Sequence, residues 1–242
     1  MNQEISIPVI GIVHSEFREK FGIPRQSNLI NSISYIVMQA PYDDMHGFEG
    51  LAQFSHIWLL WHFHDNKRTN SAKDYQAMIR PPRLGGNQKI GVFASRSMYR
   101  PAAMGLSVVE FVAVRREQGE TRVYVRGADV LHGTPILDIK PYIAYVDAVV
   151  DAKSGYAQEK PIIYPVVWTE EAQLQVHVLK QKQLLSVGIL AEIEQIIALN
   201  PKPAYQHDND KIYGLRYANF NVQFRTSKEK MTIVAITLID DR

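Results

Sequence analysis

The chain has 242 residues, 46% of them hydrophobic, with no cysteine and a formal net charge of +2. That is enough apolar material for one large domain or a main domain with a small appendage, and it excludes disulfides, thiolate zinc sites and cysteine nucleophiles. Near-neutral charge means that a polyanionic partner must be held by a local patch rather than by the field of the whole molecule.

The N-terminus, Met1-Asn-Gln-Glu-Ile-Ser6, lacks the basic-then-apolar order of a signal peptide, and the longest apolar run, Ile57 to Trp61, is too short to span a bilayer. A cytoplasmic protein without membrane contact is expected. Short β-type runs separated by loops follow in chain order: 7–14, 33–39, 54–64, 91–96, 106–116, 121–126, 135–143 and 162–168. One short helix is expected near 43–51. This pattern predicts a mainly β protein whose N-terminal domain, residues 1–165, is an antiparallel barrel rather than a set of βαβ units. The segment from Asp65 to Ile90 is a long loop, and loops of that length are commonly functional.

After Trp168 the periodicity changes. Thr169-Glu170-Glu171 has the form of a helix start, although alternation at Leu174, Val176 and Val178 also suits a strand. Leu184, Val187, Leu190, Ile193, Ile196 and Ile197 recur with helical spacing until Asn200-Pro201. Two strands, 213–225 and 231–239, complete a small α+β domain over residues 166–242.

The most distinctive stretch lies between Asp74 and Glu110. It holds five cations, Arg80, Arg83, Lys89, Arg96 and Arg100, and no acid. Its prolines stiffen the backbone, its glycines permit close approach of a ligand, and its guanidinium forks match phosphates and carboxylates. Arg96 ends a glycine-led strand here, where a structural ion pair would need an acid from elsewhere in the chain. His56, His62 and His64 share a spacing that can bind metal, but no carboxylate lies at matching spacing and no metal is expected. The chain has no Gly-x-Gly-x-x-Gly after a strand, no P-loop and no Gly-x-Ser-x-Gly elbow, which argues against a doubly wound nucleotide site and against nucleophilic hydrolysis. Asp129 to Pro135 reads as a turn. Asp138-Ile-Lys-Pro-Tyr142 reads as an edge strand ended by its proline, with Asp138, Lys140 and Tyr142 on one face.

Phe21-Gly-Ile-Pro-Arg-Gln26, Gly50-Leu51, Phe54-Ser-His-Ile-Trp58, Arg80-Pro-Pro-Arg-Leu-Gly-Gly-Asn87, Gly91-Val-Phe-Ala-Ser-Arg-Ser97, Gly105-Leu-Ser107 and Asp138-Ile-Lys-Pro-Tyr142 occur in this order. In these motifs the chain resembles the TrmO (TsaA or YaeB-like) family, and Pro201-Lys-Pro-Ala-Tyr205 with Asn219-Phe-Asn-Val222 resembles the C-terminal domain of its bacterial members. The resemblance implies a β-barrel methyltransferase that uses S-adenosyl-L-methionine, acts on the N6 of threonylcarbamoyladenosine at position 37 beside the tRNA anticodon, and works as a homodimer whose sites draw on both subunits. It carries the cofactor contacts onto Gln26, Ser27, Phe63, His64, Arg96, Leu106, Arg126, Gly127, Ala128 and Asp129, those at 126–129 chiefly through backbone. One departure is that family members read Arg-Pro-Asn-x-Ile-Gly where this chain has Arg100-Pro-Ala-Ala-Met-Gly105, so a side-chain amide is replaced by the methyl of Ala102.

Methyl transfer from a sulfonium is an in-line displacement, in which positioning outranks acid–base work. The target nitrogen is nevertheless a poor nucleophile, and loss of its proton helps the attack. Arg96 is expected to fix the cofactor carboxylate or the threonyl carboxylate of the substrate, with Tyr142, Asp138 or His64 handling the proton. Arg80, Arg83, Lys89, Arg100 and Lys140 are expected to meet the tRNA anticodon loop, with Tyr99, Tyr42 or Phe93 stacking on bases. Two other readings suit the same residues: a non-catalytic RNA-binding protein, and a β-barrel enzyme acting on a small carboxylated metabolite.

Overall fold

A computed structural model describes residues 5–66, 75–202 and 211–239. Within the motifs named above, residues 203–205 lie outside this range, as do residues 67–74 of the long loop. The first part of the chain contains β1 (Gly11–His14), β2 (Ile33–Met38), β3 (His56–His62), the two-residue strands β4 (Met78–Ile79) and β5 (Ile90–Gly91), β6 (Met104–Glu117), β7 (Glu120–Arg126), β8 (Pro135–Pro141) and the single-turn helix α1 (Ala144–Asp147). Six of these strands pair in the order β1-β2-β7-β6-β3-β8, all antiparallel. β8 returns to β1 through Gly11↔Ile136 and Ile12↔Pro135, so the sheet closes on itself.

Alternation selects the inside of this closed sheet. In β3, Ile57, Leu59 and Trp61 are buried while Trp58, Leu60 and His62 face outward, and Val109, Val123, Val125, Ile36 and Ile136 supply the facing side chains. Truncating a buried aromatic such as Trp61 to alanine should cost about 3–5 kcal/mol.

The second part comprises β9 (Val166–Trp168), α2 (Glu170–Gln181), α3 (Val187–Ala198), β10 (Ile212–Tyr217), β11 (Phe220–Thr226) and β12 (Met231–Leu238). The four strands form one sheet in the order β10-β11-β12-β9, with β9 parallel to β12. Thr169 caps α2 by accepting a hydrogen bond from Ala172 N, and Glu170 and Glu171 occupy the first turn, so the helical reading of this segment prevails over the strand reading. Ser186 caps α3 in the same way by accepting from Ile189 N. Apolar faces of both helices and of the sheet form a second core around Ile193, Ile196, Ile197, Leu215, Val222, Phe224 and Ile233. Phe17 and Ile30, from the connection between β1 and β2, belong to this second core.

Three local expectations are corrected. The 91–96 segment is not a strand: after β5 it becomes a 3-10 turn over Val92–Ala94, because only Val92 is buried and Ser95 Oγ closes the turn on Val92 O. Arg96 therefore sits on a loop. The 43–51 helix is replaced by two 3-10 turns, Met45–Phe48 and Leu51–Gln53, in a segment where Gly47 and Gly50 propagate a helix poorly. The 213–225 run is a hairpin of β10 and β11 turning at Ala218-Asn219, where Ala218 N donates to Glu16 O.

Candidate active site

A chain of polar contacts runs from the inside of the closed sheet to its open end. Trp61 and Ser107 are inward residues of neighbouring strands, and Trp61 Nε1 donates to Ser107 Oγ at 3.1 Å. Ser107 Oγ in turn donates to Asp129 Oδ1 at 2.6 Å. Burial pushes the Asp129 carboxyl above the usual carboxylate range, against the opposing pull of the Ser107 hydrogen bond and the nearby Arg96 guanidinium. Arg96 Nη1 donates to Gln26 Oε1 at 2.5 Å. Phe63 packs edge-on against Trp61, with ring centroids 4.3 Å apart.

The turn carrying Gln26 is pinned to the sheet beside it. Asn28 N donates to Gly127 O at 2.8 Å, and Asn28 Nδ2 donates to Val108 O at 2.9 Å. Gly127 has φ +79, and a Cβ there would lie 2.5 Å from Asn28 Oδ1, so this contact requires glycine. Gln26, Phe63, Arg96 and Asp129 are thereby joined in one constellation, with Ala128 buried behind it and Ser27 beside Gln26.

Other expected members are placed elsewhere. His64 turns toward Thr134 Oγ1, 3.4 Å from its Nδ1, and burial lowers its pKa below the ordinary imidazole value. Arg126 is an outward residue paired with Glu110 at 3.3 Å. Leu106, Leu60 and Asp138 form one outward row across three strands, with Leu106 and Asp138 about 10 Å apart at two strand spacings. Asp138 is ion-paired with Lys140 at 2.8 Å and also accepts from Ile139 N. Along Asp138–Pro141, β8 pairs only with β3, so the edge character read there holds locally and leaves Pro141 without a ladder bond to supply. Tyr142 packs near His56 and Trp58, with centroids 6.3 and 6.0 Å away. Asp138, Lys140 and Tyr142 thus share the outer wall, on the opposite face of the sheet from Ser107.

Among the described residues none of Arg80, Arg83, Lys89, Arg96 and Arg100 forms an ion pair with an acid. Arg83 lies close enough to Arg25 to lower its pKa, second to the effect of burial, so the basic loop faces the Gln26 turn. Arg100 is committed internally, its guanidinium donating to Ser95 O. Phe93 is exposed near Tyr75, and Tyr99 and Tyr42 are exposed as well. Ala102 lines a cavity of about 300 Å³ with His62, Met104, Pro135 and Leu137. A larger cavity, about 770 Å³, lies between Ile10, Met38, Tyr42, Phe48, Phe54 and Asp138, and Arg96 does not line it. No three His, Asp or Glu side chains among the described residues are grouped to hold a metal.

Sequence reasoning missed Trp61, Asn28 and the side-chain role of Ser107. The signal for the last was available: a hydroxyl at an inward position of an otherwise apolar strand requires a buried partner.

An exposed guanidinium with no ion pair among the described residues, a carboxyl held by Ser107 and the ring of Phe63 come together at one end of a closed antiparallel sheet, outside the doubly wound folds, and such a set of groups is able to hold a small zwitterionic ligand. The tRNA-methyltransferase O N-terminal domain model matches residues 12–148, and the TrmO C-terminal domain model matches residues 161–239. The chain belongs to the tRNA-methyltransferase O (TrmO) family. It is 41% identical over 221 residues to RcsF of Pseudomonas aeruginosa, described as a candidate S-adenosylmethionine-dependent methyltransferase, covering 90% of this chain and 91% of that one. It is 33% identical over 231 residues to the tRNA (adenine(37)-N6)-methyltransferase of Escherichia coli, covering 94% and 95%. The crystal structure of TrmO from Pseudomonas aeruginosa matches with a TM-score of 0.76 at 32% identity, over 97% of this chain and 99% of that one.

Proposed function

We propose that this protein is an S-adenosyl-L-methionine-dependent tRNA methyltransferase that modifies the N6 of threonylcarbamoyladenosine at position 37, next to the anticodon. The observation that carries the reading is the constellation of Arg96, Gln26 and Asp129. An exposed guanidinium without a carboxylate partner among the described residues suits the carboxylate of the cofactor's amino acid, and a part-buried carboxyl already held by Ser107 suits its hydroxyl or ammonium groups. Phe63 offers an aromatic wall. When bound, the cofactor supplies the electrophilic methyl. The chain's own part is to orient Arg96 through Gln26, to fix the rotamer of Asp129 through Ser107 and Trp61, and to keep water from the inner wall.

The basic loop is assigned to RNA, with Arg80, Arg83 and Lys89 on phosphates and Phe93 or Tyr99 on unstacked bases. Arg100 supports that loop through Ser95. We assign Asp138, Lys140 and Tyr142 to the site of a second subunit, because they lie on the outer wall beside the exposed apolar stretch that follows. There Tyr145 is 89% and Val150 is 94% exposed, and Ile162 and Ile163 are exposed too. A homodimer through this stretch covers them and lets the Asp138 cluster complete a site built on Arg96 of the other copy. Residues 1–165 then carry the barrel transferase and 166–242 the supporting domain. Cytoplasmic location follows from the substrate, and no described helix is long and apolar enough to cross a membrane.

The test is mass spectrometry of tRNA nucleosides after incubation with the protein and S-adenosyl-L-methionine. A new methyl on threonylcarbamoyladenosine is expected. Binding of the cofactor with no methylation of any tRNA would favour a small carboxylated substrate instead.

A further inference from the structure

The connection between β1 and β2 carries Gln26, and both of its flanks are built into the other half of the molecule. Phe17, Phe21 and Ile23 on one side and Ile30 on the other pack into the core formed by α2, α3 and the four-stranded sheet. Gly22 is buried there at φ +90, with a hypothetical Cβ only 2.3 Å from Leu215 Cδ1, so backbone and core are in direct contact. Polar bonds reinforce each flank. Arg216 N, on the free edge of β10, donates to Glu19 Oε1 at 3.2 Å. Asn31 N donates to Gln195 Oε1 of α3 at 2.7 Å. Only the short span between Ile23 and Ile30 leaves that core, and its tip is where Gln26 accepts from Arg96.

We infer that the C-terminal α+β domain is the positioning element of the cofactor site, with Glu19 and Gln195 as positioning residues that act through the Gln26 turn on the Arg96 guanidinium. This rests on the cofactor reading of Gln26 and Arg96 given above. The physical reason is preorganisation. A six-residue span free at its ends samples many conformations, whereas one clamped at both ends presents the Gln26 acceptor at one place. Among the described residues Arg96 has no acidic ion-pair partner, so its rotamer is set by that acceptor.

The experiment compares wild type, Glu19→Ala, Glu19→Gln, Gln195→Ala and the Glu19→Ala/Gln195→Ala double variant in the full-length protein. Hydrogen exchange is read over residues 24–31, S-adenosylhomocysteine affinity by calorimetry, and tRNA affinity by filter binding. The double variant is expected to exchange faster over 24–31 and to bind S-adenosylhomocysteine about three- to tenfold more weakly, the cost of re-ordering one or two long side chains. Its KM for S-adenosyl-L-methionine should rise with kcat nearly unchanged, and its tRNA affinity should stay at the wild-type value. Glu19→Gln, which keeps an acceptor oxygen for Arg216 N, should behave as wild type. If the double variant does not fold, the two single alanine variants carry the same comparison. Faster exchange with unchanged cofactor affinity overturns the proposal, and so does unchanged exchange. Wild-type protein that binds no S-adenosylhomocysteine defeats the functional reading instead, and the exchange data then judge the anchoring by themselves.

Discussion

Asp138 on strand β8 and Asp129 in the connection between β7 and β8 are both carboxylates with a cation nearby, yet their environments differ in kind. Asp138 reaches Lys140 directly on the outer wall, where both side chains remain largely wet and their charges cancel. Asp129 is part-buried at one end of the sheet, is held by Ser107, and keeps a raised pKa because burial outweighs the Ser107 hydrogen bond and the nearby Arg96 guanidinium. A local acid–cation pair is thus a weak pointer to chemistry, since solvent screening leaves it little to do within its own subunit. A carboxyl kept in place by neutral donors retains capacity for a ligand.

The strongest way to break this contrast is Arg96→Ala. Methyl transfer should fall by about a hundredfold or more with the melting temperature unchanged, since among the described residues Arg96 bonds to one exposed side chain, Gln26. Asp129→Asn retains an oxygen for Ser107 but no charge, and S-adenosylhomocysteine binding should weaken about tenfold by calorimetry. The same variant carries a pH signature. A raised folded pKa means that the stability associated with the protonated carboxyl is present below the unfolded value, about 3.9, and is lost as pH rises through the folded value. Asp129→Asn should therefore melt higher than wild type at about pH 8, with the gap closing toward about pH 4.

Ser107→Ala strands the indole of Trp61 and removes a donor from Asp129, and should cost about 1–3 kcal/mol in chemical denaturation. Replacing Arg80, Arg83 or Lys89 with alanine should each reduce the slope of log affinity for tRNA against log salt by roughly 0.7–0.9, with cofactor binding untouched. Smallest of all, Lys140→Ala should change stability by less than about 1 kcal/mol. With the Asp138 cluster assigned to a second subunit's site, Lys140→Ala should also lower methylation while leaving S-adenosylhomocysteine affinity intact, which sharpens the contrast into a division of labour between subunits.

Some members of the candidate constellation were legible one residue at a time. Arg96 stood out because no acid lies near it in the chain, and the structure leaves it without one among the described residues. His64 and Arg126 were carried over from the family resemblance, the latter as a backbone contact, and in the fold their side chains turn to Thr134 and Glu110. The expected strand at 91–96 failed because a glycine-led apolar run is equally compatible with a turn when only one of its side chains is buried.

The β-branched and aromatic runs within 56–62, 104–117 and 120–126 mark these segments as strands without any tertiary information, whereas which face of each is buried is decided by closure of the sheet. Helix capping at Thr169 and Ser186 is local in the same sense. The constellation is not. Gln26 and Arg96 are 70 positions apart, Trp61 and Ser107 are 46 apart, and the flanks of the Gln26 turn are buried by a core whose residues lie more than a hundred positions away. Such contacts exist only once the sheet has closed and the two cores have docked, because their value comes from excluding water around partners that no neighbouring stretch of chain supplies.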